Sequence, residues 1–184
     1  MRKDDVASSE TSRTLVLLQE ALGRQVSVDA EDTGAARADK SGHRSAGEPL
    51  CVVFAESTED VATVLRIANS SQTPVVARGA GSGLAGGAIG SPGEIVLSLA
   101  RMNRILEIST EDRWAIVEAG VINSSLNEAA QEHGLWFAPD PASRAWSTVG
   151  GNIATNAGGL LCVKYGVTRE AVLDLTVVLA SGET

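Results

Sequence analysis

Apolar positions in this chain follow a helical spacing in some stretches and a strand-like spacing in others. Leu15, Leu18 and Leu22 share one face of a predicted helix over residues 12–23, which Gly23 ends as a C-cap. Residues 1–11 are polar and are expected to fray. The polar stretch of Asp, Gly, Ala and Ser over about 29–48 predicts a long loop, with His43 solvated inside it. "LCVVFA" (50–55) then reads as a buried strand. Ser57 is the N-cap of a following helix, with Asp60 three residues on as a capping-box variant. Val61, Val64, Leu65 and Ala68 supply that helix's apolar face, and "TPVVA" (73–77) is the next strand. Residues 50–77 therefore predict a βαβ unit with parallel pairing.

Further strands are predicted at "EIVLSL" (94–99), "RILEIS" (104–109) and "RWAIVEAG" (113–120), the last two joined by a "TED" turn. A helix follows, with Ser125 and Glu128 as a capping box, His133 in its last turn and Gly134 as its stop. A cation near a helix C-terminus is mildly favourable, which gives His133 a structural role. "LWFAPD" leads into "STVGGNIATNAGG" (147–159), where Ser147 or Thr148 is the N-cap candidate. "AVLDLTVVLASGE" (171–183) predicts one more long strand, closing on a hairpin-like turn.

Composition narrows the class. The 184 residues are 43 % hydrophobic and 21 % charged, a globular balance in one or two small domains. A formal charge of −8 argues against a nucleic-acid partner. No apolar run has membrane-spanning length, and "MRKDDVASSE" has no apolar signal core, so a cytoplasmic location is expected. The two cysteines, Cys51 and Cys162, are too few for a disulfide framework and read as small core residues. His43 and His133 have no neighbours at metal-ligand spacing, so no metal site is expected.

The chemistry lies in the glycines. Between Ala77 and Gly90, "ARGAGSGLAGGAIG" carries six of them directly after a predicted strand. Gly81-Ser82-Gly83-Leu84-Ala85-Gly86 matches G-x-G-x-x-G, but a Rossmann site needs a helix to begin on that loop. "AGGAIGSPG" leaves no room for one. The match of Glu107 to the usual downstream acid is then fortuitous. A Walker loop is excluded because no Gly-Lys-Ser/Thr follows. Two readings remain: an anion-binding nest of backbone N–H groups, or a loop with no ligand. The second cluster favours a ligand. Gly150, Gly151, Ala154, Ala157, Gly158 and Gly159 give up burial and helix propensity. Such residues suit a backbone that approaches a flat ring or a phosphate. Asn152 and Asn156, four apart, would present their amides on one helical face. Two glycine-rich elements suggest an elongated ligand held at more than one point.

Taken in order, "PVVARGAGSGLAGGAIG", "MNRILEIS", "IVEAGV", "FAPDPAS" and "STVGGNIATNAGGLLCVKYG" resemble the FAD-binding domain of the p-cresol methylhydroxylase/vanillyl-alcohol oxidase superfamily. The resemblance is nearest to the branch of the glycolate oxidase flavin subunit and D-lactate dehydrogenases, and runs from about residue 39 to 183. It implies an α+β fold of the p-cresol methylhydroxylase type. A small βαβ subdomain would precede a mixed or antiparallel sheet subdomain with helices, incomplete at the C-terminus. Residues 1–48 would be an N-terminal helix and polar loop, and 49–184 a partial FAD-binding domain.

The resemblance also implies that backbone amides of Arg78, Gly79, Ala80, Gly81, Ser82 and Gly83 hold the FAD pyrophosphate. Pro139, Thr148, Gly151, Asn152, Asn156, Gly158 and Gly159 would line the flavin and ribityl chain. Some members of the family tether FAD through a His in the first loop or a Cys in the second segment; Arg78 to Gly90 contains no His and Ser147 to Gly159 no Cys, so a non-covalent FAD is implied. The Arg78 side chain would meet a phosphate or pair with an acidic neighbour. Lys164 and Tyr165 are site candidates or a surface turn, and no catalytic base is identified.

The parent reaction implied is oxidation of a 2-hydroxy acid to the 2-oxo acid by hydride transfer to flavin. The chain is expected to be the N-terminal part of such an enzyme, completed by a missing C-terminal part or a partner subunit. Alternatives of the same ancestry are a non-catalytic flavin-binding module and another flavin reductase of this fold.

Overall fold

The computed structural model describes residues 3–184, with side chains from Ser12 onward. Helix α1 (Lys3–Leu22) begins well before the expected residue 12, so the backbone from Lys3 is helical where fraying was expected. Met1 and Arg2 lie outside the described residues. Leu18 is fully buried with Leu15 and Leu22 packed against the same core, as the leucine spacing predicts. Gly23, at φ +53°, turns the chain out of the helix.

Strand β1 (Val26–Ser27) and helix α2 (Ala30–Ala36) then occupy part of the segment expected to be loop. Burial accounts for the helix. Ala36 packs with Val52 and Val96, and Thr33 is buried beside it, an apolar stripe too short to register as a period. His43 is exposed, as expected.

Strand β2 (Cys51–Phe54) leads into helix α3 (Thr58–Ser70). The Ser57 hydroxyl accepts the Asp60 amide at 3.1 Å, satisfying one orphan donor of the first turn. The Asp60 carboxylate takes the Glu56 amide at 2.9 Å, one residue earlier than a capping box would use. Strands β3 (Val75–Arg78) and β4 (Ile95–Ser98) complete a sheet of order β1-β2-β4-β3. β2 and β3 each run parallel to β4, and β1 is antiparallel to β2. The predicted βαβ unit is therefore present, but β4 lies between its two strands. All four β4 residues are buried, which suits a continuous apolar run to a central parallel strand. Cys51, Val53, Ile95 and Leu97 pack with α1 and α3, while Val52 and Val96 pack with α2.

The second layer is smaller. Strands β5 (Ile105–Ser109) and β6 (Trp114–Val117) form the expected antiparallel hairpin. Helix α4 (Asn123–Gln131) starts at Asn123, which places Ser125 inside it, so the Ser125–Glu128 box does not form. The Asn123 and Ser124 amides donate instead to the Ser147 and Arg144 carbonyls, both at 3.0 Å, and these tertiary acceptors replace a side-chain cap. Gly134 adopts φ +70° beyond the helix, and exposed His133 lies past its last turn rather than in it. Val121, Leu126 and Val149 form a separate core with Ile105, Val117, Phe137 and Ile153.

Helices α5 (Val149–Thr155) and α6 (Cys162–Tyr165) follow. The strand expected over 171–183 does not form: these residues have no ladder partner among the described residues. A strand is defined by its hydrogen-bonded neighbour, and apolar content alone does not make one. The turn at its end does form: the Leu179 amide donates to the Glu183 carbonyl and the Gly182 amide to the Leu179 carbonyl, both at 2.8 Å. Leu173, Leu175, Val177 and Leu179 are exposed. Cys51 is a core residue, whereas Cys162 is only half-buried on α6. Among the described residues no helix is long and apolar enough to cross a membrane.

Candidate functional site

The glycine loop is fastened at both ends and open between. At its start, β3 closes when the Leu99 amide donates to the Arg78 carbonyl at 2.9 Å. At its end the Gly90 amide donates to the Ala36 carbonyl at 2.9 Å, and Gly90 packs where a Cβ would lie 3.1 Å from Pro49. Between these points, the amides from Gly79 through Gly87 donate to no protein acceptor among the described residues. No helix begins on the loop, so the rejection of a Rossmann site holds. Gly81 and Gly86 adopt φ of +65° and +78°, the left-handed backbone that glycine enters freely. Successive amides in such a loop form a concave donor surface suited to an anion.

Two contacts place other residues at this loop. A side chain at Gly79 would collide with the Thr148 hydroxyl, so the loop's first glycine lies directly against the N-cap of α5. The same Thr148 oxygen accepts the Gly151 amide at 3.1 Å. Arg78, Gly79, Ala80, Gly81, Ser82, Gly83, Thr148 and Gly151 thus form one continuous region.

The remaining candidates have internal duties. Asn152 is buried and uses both ends of its amide: Oδ1 accepts from Asn123 Nδ2 at 2.9 Å, and Nδ2 donates to Ser147 Oγ at 3.0 Å. Asn123 also donates to the Pro139 carbonyl at 3.2 Å, tying buried Pro139 into the same chain of bonds. Asn156 is not on a helical face with Asn152. It is the left-handed cap that ends α5, with φ 49°, and its side chain accepts the Arg169 amide at 3.0 Å.

Gly159 packs so tightly on Asp140 that a Cβ would overlap its carbonyl and carboxylate. At Gly150 a Cβ would stand 2.8 Å from the Ala119 carbonyl oxygen. Gly158 is exposed, with Val167 3.3 Å from where its Cβ would be. These glycines were expected to admit a flat ring or a phosphate. At Gly150 and Gly159 the close neighbour is the protein's own backbone.

The Arg78 guanidinium makes no direct ion pair with an acidic side chain among the described residues. It donates to the Ala88 carbonyl through Nη1 and to the Ala38 and Ala35 carbonyls through Nη2 at 3.0 and 3.4 Å. Burial pushes its pKa below the usual arginine value, and the nearby Asp39 charge opposes that shift. Burial alone would raise the Asp39 pKa, but the Ser41 and Ala88 hydrogen bonds and the Arg78 charge together hold it below the usual carboxylate value. The Asp39 carboxylate accepts the Ser41 amide at 2.8 Å, an Asx-turn. Lys40, between them, holds its ammonium 5.4 Å from the centre of the Trp146 ring.

Sequence reasoning missed Asp39 and Lys40, because "ADKSG" sits inside a stretch assigned to loop, and Ala88, an alanine with no signature within the glycine loop. The Asp-x-Ser spacing of the turn was the available signal. Asn123 was also missed, and a polar residue beside an apolar pair at a helix start gives no pattern to read. Lys164 and Tyr165 lie on α6, the Lys164 ammonium 4.7 Å from the Tyr165 ring centre and that ring edge-on to Trp136 at 4.9 Å. Among the described residues no group of His, Cys, Asp and Glu converges to hold a metal.

The fold and the open amide loop define an α+β nucleotide-cofactor domain without a Rossmann helix. A family model described as FAD binding domain matches residues 49–184, and the chain belongs to that family, whose cofactor is FAD. The chain is 44 % identical over 135 residues to a D-lactate dehydrogenase of Anaerostipes hadrus, covering 73 % of this chain and 28 % of that protein. It is 43 % identical over 135 residues to the glycolate oxidase subunit GlcD of Bacillus subtilis, covering 73 % and 29 %. The chain therefore spans under a third of the length of these relatives. A crystal structure of p-cresol methylhydroxylase with substrate bound superposes with a TM-score of 0.79 at 24 % identity, over 95 % of this chain and 35 % of that one. That likeness establishes the fold of the p-cresol methylhydroxylase type.

The loop fits such a cofactor on its own geometry. Open glycines, left-handed turns and unpaired amides are what close approach to a dinucleotide pyrophosphate requires.

Proposed function

We propose that the chain is the FAD-holding part of an oxidoreductase that converts a 2-hydroxy acid of the glycolate or D-lactate kind to its 2-oxo acid. The observation that carries the cofactor half of this reading is the run of unpaired amides from Gly79 through Gly87; the reaction is proposed from the likeness to the D-lactate dehydrogenase and glycolate oxidase subunit. Residues 49–184 are the FAD-binding domain in this account, and α1, β1 and α2 before it pack on its sheet.

The backbone amides of Gly79, Ala80, Gly81, Ser82 and Gly83 take the pyrophosphate oxygens, with charge-assisted bonds stronger than those to a neutral acceptor. Thr148, which lies against Gly79, and Gly151, whose amide it accepts, face the ribityl chain. Pro139, Asn152, Gly158 and Gly159 act at one remove, by fixing the shape of the segment that borders the cofactor. Bound FAD supplies the two-electron acceptor for a hydride, and the chain's share is to place it and keep water from it. Neither residues 78–90 nor residues 147–159 contain a His or Cys to tether it.

The test is a titration of the purified chain with FAD, FMN and riboflavin, followed by acid precipitation. FAD should bind tightest and leave with the supernatant. Preference for FMN would remove the pyrophosphate from the account, and colour held in the pellet would contradict non-covalent binding. Anaerobic addition of glycolate, D-lactate or 2-hydroxyglutarate to the FAD-loaded chain should leave the flavin absorbance unchanged. No cluster of Arg, His and Tyr able to clamp a substrate carboxylate occurs among the described residues near the loop, and bleaching would show that one exists.

A further inference from the structure

We infer that Arg78 is a positioning residue that holds the glycine loop open from beneath, rather than a ligand of the cofactor's phosphates. This rests on the reading of the loop as the pyrophosphate site. A cationic residue at the head of a glycine loop invites the opposite assignment, so the geometry matters. The guanidinium offers five donors in a fixed plane. Three of these donors, all on its two terminal nitrogens, go to carbonyl oxygens, those of Ala35, Ala38 and Ala88.

Two of these acceptors belong to the end of α2. The last carbonyls of a helix have no partner inside it and carry its negative end, which a cation satisfies in both respects. Ala35 lies in the last turn of α2 and Ala38 just past it, while the neighbouring Ala36 carbonyl takes the Gly90 amide. The third acceptor, Ala88, lies in the loop itself. Arg78 thus joins the loop's first residue to its returning limb and to the helix below.

Gly81 completes the arrangement. Its missing side chain is the space the guanidinium occupies, since a Cβ there would collide with Nη2 and lie 2.8 Å from the central carbon. The residue's φ of +65° then carries the backbone over the guanidinium. Arg78 ties the loop's returning limb, through the Ala88 carbonyl, to the end of α2, and the amides of Gly79 through Gly87 between these anchors have no protein acceptor among the described residues. The cation holds the loop in place by its carbonyl at Ala88 and leaves its amides free.

Two variants separate this from a direct phosphate contact. Arg78→Met keeps length and removes the donors, and Arg78→Lys keeps the charge but cannot span three carbonyls with one ammonium. Both should weaken FAD binding at least tenfold, with the same proportional loss of affinity between low and high salt as the wild type. A phosphate ion pair predicts otherwise: Arg78→Lys would retain most of the affinity, and Arg78→Met would flatten the salt dependence.

A second readout needs no cofactor. Proteolysis within residues 79–90 of the ligand-free chain should speed up at least fivefold in Arg78→Met, with circular dichroism unchanged. Retained affinity in Arg78→Lys, or unchanged cleavage in Arg78→Met, would overturn the inference. Wild-type chain that binds no FAD would instead remove the underlying reading of the loop, and the cleavage rates would still decide whether Arg78 braces it.

Discussion

The two glycine-rich stretches look alike in sequence and differ in what their glycines meet. In the loop after β3, a Cβ at Gly83 or Gly87 would have nothing within 4 Å, and the surrounding amides are unpaired. In the segment around α5, the Gly150 amide donates to the Ala119 carbonyl at 2.8 Å, and Gly159 is pressed against Asp140. In the first stretch Gly83 and Gly87 stand open, while Gly79, Gly81 and Gly90 make room for side chains of Thr148, Arg78 and Pro49. The second uses its glycines to bring its own backbone close. A glycine count cannot tell these apart, because each use needs the same absent side chain.

The sharpest way to break that contrast is to add a methyl group. Gly159→Ala and Gly150→Ala should each lose about 3 kcal/mol in urea unfolding, at the upper end of the cost of overpacking a filled site. Gly83→Ala and Gly87→Ala should stay within about 0.5 kcal/mol of the wild type, as surface substitutions do. Equal losses in both stretches would erase the distinction.

A smaller effect is expected from the amides of the α5 region. Asn123→Ala leaves the Asn152 carbonyl oxygen and the Pro139 carbonyl without their donor. The cost of such buried unsatisfied groups is about 1–3 kcal/mol. Asn156→Gly should be neutral within about 0.5 kcal/mol, since glycine accepts the left-handed backbone at that cap. If the exposed asparagine proved the costlier of the two, the internal network would not be what shapes the segment.

The smallest effect lies in the cysteines, one in each layer. Burial raises the Cys51 thiol from 9.0 to about 12. The folded state therefore holds this proton after the unfolded state has lost it. Stability is indifferent to Cys51 below pH about 9, then declines by up to about 1.4 kcal/mol per pH unit until the folded thiol also ionises near 12. At pH 8 a thiol reagent should label half-buried Cys162 in the native protein and Cys51 only on unfolding. Rapid native labelling of Cys51 would contradict the packed sheet.

Much of the first layer was legible. The Leu15–Leu18–Leu22 face, the Ser57 cap and the apolar runs of β2 and β4 are local patterns, and local patterns survive in a sequence. The insertion of β4 between β2 and β3 was not legible, since strand order is a choice among long-range pairings. α2 escaped for a related reason: its buried face is two small residues, Thr33 and Ala36, and it is held by tertiary contact. At residues 172–179 the apolar pattern was read correctly and the strand was not, because pairing is a property of two segments. In the candidate site the loop was found from its glycines, whereas the bonding of Arg78 depended on Ala35, Ala38 and Ala88, three alanines with no signature. Nor does the sequence show that the Asn152 amide bonds Asn123 and Ser147.

The central claim is that the loop's open amides receive the dinucleotide while the second stretch supports them from within. Backbone amide chemical shifts of the isotope-labelled chain, followed by NMR as FAD is added, test this most directly. The account predicts saturable shifts largest at Gly79 through Gly87, with Gly150, Asn152 and Gly159 moving little. Saturable binding that leaves the Gly79–Gly87 amides in place would contradict it.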